Sequence, residues 1–138
     1  MVELNCKNVI SDDITAELVY ADKPFSFVGG VCIQDGIVQD YRHPAFKKQI
    51  TGKIFAFPFG KGSSGAGLVL MEMLRVGTAP AGIINIRTDP VILTGPLIAK
   101  HFYNQLLPVI NLSEEDFASL SGHKTIQIFK DKEVLIAN

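Results

Sequence analysis

The sequence predicts an α/β fold built as a three-layer β/β/α domain, and three features predict it. The first half alternates apolar and polar residues at strand period, the centre runs strand, glycine-rich loop, helix, strand, and the end reads as a hairpin. An all-parallel sheet would need a helix between most strands, and the first half has no room for them. In order, residues 14–20 place Ile14, Ala16, Leu18 and Tyr20 on one face and Thr15, Glu17 and Val19 on the other. Phe25 to Val28 leads into Gly29-Gly30, where the backbone bends or is approached closely. Residues 31–33 and 37–38 flank Asp35-Gly36, which predicts a tight turn. A short buried strand follows over 53–57, stopped by Pro58.

Residues 65–76 predict the clearest helix: Val69, Leu70, Met73 and Leu74 lie near one face, Glu72 and Arg75 point elsewhere, and Gly77 stands where a C-cap glycine belongs. Met71 and Met73 read as core filler on this helix. Residues 81–86 form a second apolar strand. Asp89-Pro90 and Thr94-Gly95-Pro96 punctuate the next stretch, which predicts a helix only over 97–103. Another strand is expected over 108–112. Ser113-Glu114-Glu115-Asp116 then has the form of a capping box for a short helix ending near Leu120. Residues 125–129 and 133–136, turned at Asp131-Lys132, make the closing hairpin.

With 138 residues, 47% hydrophobic and 20% charged, the chain is expected to fold as one domain spanning 1–138, and no repeat or polar linker divides it. A net charge of −1 gives no drive toward nucleic acid or an anionic membrane. Arg42, Lys47, Lys48 and Lys53, offset by Asp40, read as a solvated surface. The first eight residues carry Glu3, Asn5 and Lys7 and lack a signal-peptide core, and the apolar runs 67–74 and 90–99 fall short of the roughly 20 residues that span a bilayer. Two cysteines, Cys6 and Cys32, are too few for a secreted disulfide scaffold, so a cytoplasmic location is expected, with a bond between the two left open. Cys32 reads as an inert core thiol in an apolar strand.

The chemistry concentrates in Phe59-Gly60-Lys61-Gly62-Ser63-Ser64-Gly65-Ala66-Gly67, between a buried strand and a helix start. The first N–H groups of a helix lack intrahelical partners and lie at the positive end of its dipole, so such a loop suits phosphate or carboxylate. Gly60 and Gly62 allow close approach, and Lys61 adds a positive charge. A nucleotide P-loop is excluded because Gly62, not Ser or Thr, follows Lys61, and the third glycine of a dinucleotide fingerprint is missing. One reading makes the loop a non-catalytic anion-binding or regulatory module in which Ser63 only caps the helix. The other makes Ser63 reactive.

These residues resemble a family. Phe57-Pro58-Phe59-Gly60-Lys61-Gly62-Ser63-Ser64-Gly65, then Gly77-Thr78-Ala79-Pro80-Ala81 and Pro90-Val91-Ile92-Leu93-Thr94-Gly95, look like the small subunit, or swivel domain, of aconitase X-type hydro-lyases. Ser26-Phe27-Val28-Gly29-Gly30, Asp35-Gly36-Ile37 and His43-Pro44 match in the same order, so the resemblance covers about 14–110. It implies a swivelling β/β/α domain that closes, in a heterodimer, over a large subunit carrying an iron–sulfur cluster. It also implies dehydration of a small hydroxy acid, either cis-3-hydroxy-L-proline or mevalonate 5-phosphate. Ser63 matches the proton acceptor, and Lys61, Gly62, Ser64 and Gly65 would bind and polarise the substrate. True aconitases continue the loop Arg-Glu-His where this chain has Gly65-Ala66-Gly67, which argues against citrate or isocitrate. The C-terminal part leans toward hydroxyproline and the Gly-Lys-Gly-Ser loop toward phosphomevalonate.

The residues accommodate that chemistry. Eliminating water needs a base for the carbon-bound proton and a Lewis acid for the departing hydroxyl. A serine serves as base only if its alkoxide is stabilised, and the helix end, the glycine N–H groups and Lys61 offer that. Two cysteines cannot ligate a cluster, and His43, His101 and His123 lack metal-ligand spacing, so no metal is expected on this chain. His43 either orders a loop or touches substrate, while Asn85 and Asp89 are second-tier candidates for a turn near the site.

Overall fold

A computed structural model describes residues 1–62 and 65–138. Its strands, among the described residues, are β1 (Val2–Asn5), β2 (Lys7–Ile10), β3 (Ile14–Tyr20), β4 (Ile54–Ala56), β5 (Gly82–Asn85), β6 (Val109–Asn111), β7 (Thr125–Ile128) and β8 (Val134–Ala137). The helices are a kinked turn α1 (Phe27–Gly30), α2 (Ala66–Val76), α3 (Pro90–Tyr103) and α4 (Glu114–Ala118). The strands form one mixed sheet in the order β1-β8-β7-β3-β4-β5-β6-β2. β3, β4, β5 and β6 run parallel to one another, and the remaining pairings are antiparallel. The fold is therefore α/β, with a mixed rather than all-parallel sheet.

The outermost strands β1 and β2 are chain neighbours separated by Cys6, so the sheet must curl until its two edges approach. The Cys6 N–H donates to Glu133 O at 3.0 Å, and the Asn8 N–H donates to the Glu133 carboxylate at 2.8 Å, holding β2 against the β7–β8 turn. Curling gives the sheet an inside and an outside, and period-two alternation sorts residues between them. In β4, Ile54 and Ala56 join an inner cluster while Phe55 joins an outer one. The inner layer gathers Ile84, Ile110, Ile126, Ile128, Leu135 and, from the α4 region, Phe117 and Leu120. The outer layer packs Phe55, Phe57, Ile83 and Val109 against Leu70 and Met73 of α2 and Ile92 of α3. Two sheet walls and one helical layer make the β/β/α sandwich.

Most expected elements stand where the sequence puts them. Ile14, Ala16, Leu18 and Tyr20 face the inner layer while Val19 faces the outer one. Gly77 ends α2 in the left-handed region at φ 86° and donates to Met73 O. Ser113 caps α4, accepting from the Asp116 N–H at 3.1 Å. Three expectations need correction. The turn at Asp35-Gly36 forms, but its flanks meet only in one isolated bridge, Val31 to Val38, while Ile37 bridges to Gln49 outside the turn. Cys32 is half-buried, not a core thiol, and its Sγ donates to Gln34 Oε1 at 3.2 Å; both cysteines are free thiols. Finally, α3 begins at Pro90 and runs through Thr94-Gly95-Pro96. Asp89 caps it by accepting from the Val91 N–H at 2.9 Å, and Pro90 takes a first-turn position where no N–H is needed.

Gly95 is there for contact with a neighbouring helix. A Cβ on it would collide with the Gly67 carbonyl of α2, and a Cβ on Gly67 would strike Thr94 Oγ1. The two glycines let α2 and α3 cross backbone to backbone. That crossing fixes where α2 begins, and so where the loop before it sits.

Candidate functional site

The loop leaves β4 at its carboxyl end, beside the ends of the parallel strands β5 and β6, the side on which open α/β sheets bind ligands. Its first half is clamped by one residue. The Phe25 N–H donates to Phe59 O and Phe25 O accepts from the Lys61 N–H, each at 3.1 Å, so Phe25 bridges Gly60 as a one-residue parallel strand. Phe25 is buried, and its ring lies 5.0 Å from Phe27, 4.9 Å from Phe55, 5.7 Å from Phe57 and 5.1 Å from His43 between centroids. The loop thus rides on an aromatic platform. At Gly60 a Cβ would come within 2.6 Å of Ile92 Cδ1, which holds the loop against the start of α3.

Gly62 takes φ +89°, a conformation that strains any residue with a Cβ, and this turns the chain between Lys61 and the helix. Gly65 occupies the N-cap of α2. Lys61, Gly62 and Gly65 therefore share one loop, as expected. Ser63 and Ser64, the expected proton acceptor and its neighbour, lie outside the described residues.

The secondary candidates divide. His43 is only 6% exposed: its Nδ1 accepts the Ala45 N–H at 3.1 Å and its Nε2 lies 3.2 Å from Lys23 O. Nδ1 accepts only when unprotonated, so Nε2 carries the hydrogen given to Lys23 O; burial pushes the ring's pKa below the ordinary histidine value. This is the loop-ordering role. Asn85, fully buried, donates from Nδ2 to Phe57 O at 2.7 Å and accepts from Thr88 Oγ1 at 3.0 Å, while Asn111 donates to Thr88 Oγ1 at 2.8 Å. Asn85 therefore ties the carboxyl end of β5 to the strand that feeds the loop, and Asp89 is the α3 cap.

The position of Arg42 beside the loop was not legible in the sequence. Arg42 belongs to a run read as solvated surface, and its side chain is indeed 75% exposed. Lys53 pairs with Glu17 at 3.3 Å and Lys47 lies over the Phe46 ring, whereas Arg42 borders a cleft together with Lys61. The turn Asp40-Tyr41-Arg42 carries no local mark of lying beside a loop twenty residues on.

The family model for the aconitase X swivel domain matches residues 3–137. The chain belongs to this family. Among the relatives of this swivel domain, the phosphomevalonate dehydratase small subunit of Methanosarcina acetivorans is 29% identical over 92% of this chain and 85% of its own. That of Methanothermobacter thermautotrophicus is 32% identical over 86% of each. The cis-3-hydroxy-L-proline dehydratase of Pseudomonas aeruginosa is 32% identical over 78% of this chain, which spans 19% of that longer protein. The structure of Thermococcus kodakaraensis aconitase X superimposes with a TM-score of 0.85 at 24% identity, covering 100% of this chain and 99% of the other. The likeness supports the swivel-type β/β/α architecture, and the relatives' names are in keeping with a hydro-lyase made of two subunits.

The iron–sulfur cluster expected from the resemblance does not fit this swivel domain's own side chains. Among the described residues no three His, Cys, Asp or Glu side chains come together as a metal site. Cys6 is half-buried, and burial first and Glu133 second push its thiol up to about 11, away from the thiolate that ligates iron. Among the described residues no helix is long and apolar enough to cross a membrane.

Proposed function

We propose that this chain, as one swivel-type domain spanning 1–138, is the small subunit of a two-subunit dehydratase that removes water from mevalonate 5-phosphate. Ser63 takes the carbon-bound proton, and Lys61, Gly62, Ser64 and Gly65 bind and polarise the substrate. The large subunit carries the iron–sulfur cluster, and the heterodimer works in the cytoplasm. Support for the substrate comes from the relatives that match as separate small subunits over most of both chains, which bear the phosphomevalonate name. The hydroxyproline relative is a much longer protein, and hydroxyproline is the second substrate to try.

The observation that carries the reading is the clamped loop. Phe25 holds both sides of Gly60, and Gly62 turns the chain at positive φ just before the start of α2. A serine becomes a base only where its alkoxide is stabilised before the proton moves. The first-turn N–H groups of α2 and the Lys61 ammonium supply positive potential there without reorganising. Ser63→Ala, purified with the large subunit, is expected to lose about a hundred- to ten-thousandfold in turnover with little change in melting temperature. Near-normal turnover would return the loop to an anion-binding role.

A further inference from the structure

Beside the clamped loop lies a cleft of ≈ 400 Å³ that shares Lys61 with the substrate-binding residues named above. Three separate stretches of chain wall it: Ser26 with the Gly29-Gly30 backbone, residues 39–42, and Lys61. Arg42 has its side chain 75% exposed, while Asp40 in the same wall is 18% exposed. Asp40 Oδ1 accepts the Arg42 N–H at 3.0 Å and meets the guanidinium at Nε, 3.6 Å away. That backbone bond first, then the charges of Arg42 and Lys61, hold the Asp40 carboxyl below the usual carboxylate range. Two cations from different loops therefore border one open cleft together with a single carboxylate, Asp40, and one positive charge is left over.

We propose that this cleft seats a phosphate monoester of the substrate between Lys61 and Arg42, beside the Gln39 amide and the Gly29-Gly30 backbone. A carboxylate is planar and is satisfied by one guanidinium fork from one direction. A phosphate monoester carries about −1.5 to −2 charges and three acceptor oxygens, enough to engage cations arriving from two directions. Because the ion pair with Asp40 runs through Nε, it orients the guanidinium without using its terminal nitrogens, the pair that grips phosphate. The inference rests on the dehydratase reading for its substrate. Lys61 stands two residues before Ser63, so one loop would touch both the phosphate and the reacting carbon.

The test is a titration of the full-length, isotope-labelled chain with inorganic phosphate at constant ionic strength, with acetate as the matched carboxylate, followed by amide NMR. Phosphate should move the Gly29, Gly30, Arg42 and Lys61 resonances along saturating curves that acetate does not reproduce. Arg42→Ala should weaken that binding about tenfold, the loss of a charge-assisted contact, while Lys132→Ala, over the Phe129 ring and not lining the cleft, should leave it unchanged. In the two-subunit enzyme Arg42→Ala should raise KM for mevalonate 5-phosphate about tenfold with kcat near the parent value. Unmoved cleft resonances, equal shifts with acetate, or an unaltered Arg42→Ala titration would each overturn the proposal. The titration needs neither partner nor turnover, so its outcome is independent of what Ser63→Ala does to the reaction.

Discussion

The two hydrophobic layers on either side of the sheet are made from different side chains. Under α2 and α3 the layer centres on Phe25, Phe27, Phe55 and Phe57, whose rings meet edge-on or tilted at 4.9 to 6.4 Å between centroids. Inside the curl the layer is chiefly aliphatic, from Ile54, Ile84, Ile110, Ile126, Ile128 and Leu135, with the single ring pair Tyr20 and Phe117. Aliphatic contacts are non-directional and fill a closed space, whereas aromatic pairs prefer particular tilts and so transmit orientation. The ring set fixes Phe25, and Phe25 fixes the loop. One layer keeps the sheet shut; the other aims the site.

The largest expected effects separate the layers directly. Phe55→Ala should cost about 3–5 kcal/mol and Leu135→Ala about 2–5 kcal/mol, both read by denaturant unfolding. Only Phe55→Ala should also shift the amides of residues 59–62, and equal shifts from Leu135→Ala would erase the distinction. Gly95→Ala pushes a methyl into the Gly67 carbonyl, and about 1–3 kcal/mol of lost stability should come with moved loop amides, because the crossing sets the start of α2. Ser113→Ala removes the α4 cap on the inner side and should cost about 1 kcal/mol with the loop untouched.

The smallest effect is a slope. His43 packs neutral against Phe25 with its pKa lowered by burial, so the unfolded chain takes up a proton near pH 6.5 that the folded chain refuses. Stability is then full above about pH 6.5 and falls as pH drops through that value. His43→Gln should flatten that fall, measured as melting temperature between pH 8 and pH 5. An unchanged slope would remove His43 from the aromatic platform's pH response.

Where local chemistry decides the structure, the residues announce it. The alternation of residues 14–20, Gly77 after α2 and Ser113 before α4 are satisfied by near neighbours, and each stands as expected. The misreadings fall where distant residues decide. Gly95-Pro96 reads as a breaker, yet the helix continues because its backbone is wanted against α2. β1 is mostly exposed and β2 half so; their partners are β8 and β6, about a hundred residues or more away in sequence. The loop region divided in the same way: the sequence displays Lys61, Gly62 and Gly65 as one loop, whereas Arg42 comes to share a cleft with Lys61 only through folding.

The first ten residues strap the fold. Because only Cys6 separates the two border strands, this short length of chain finishes both margins of the sheet together. A fragment starting at residue 11 would bare the ladders of β8 and β6 in one stroke, and raw strand margins recruit other chains. Light scattering of that fragment should report clustering where the full chain stays dispersed.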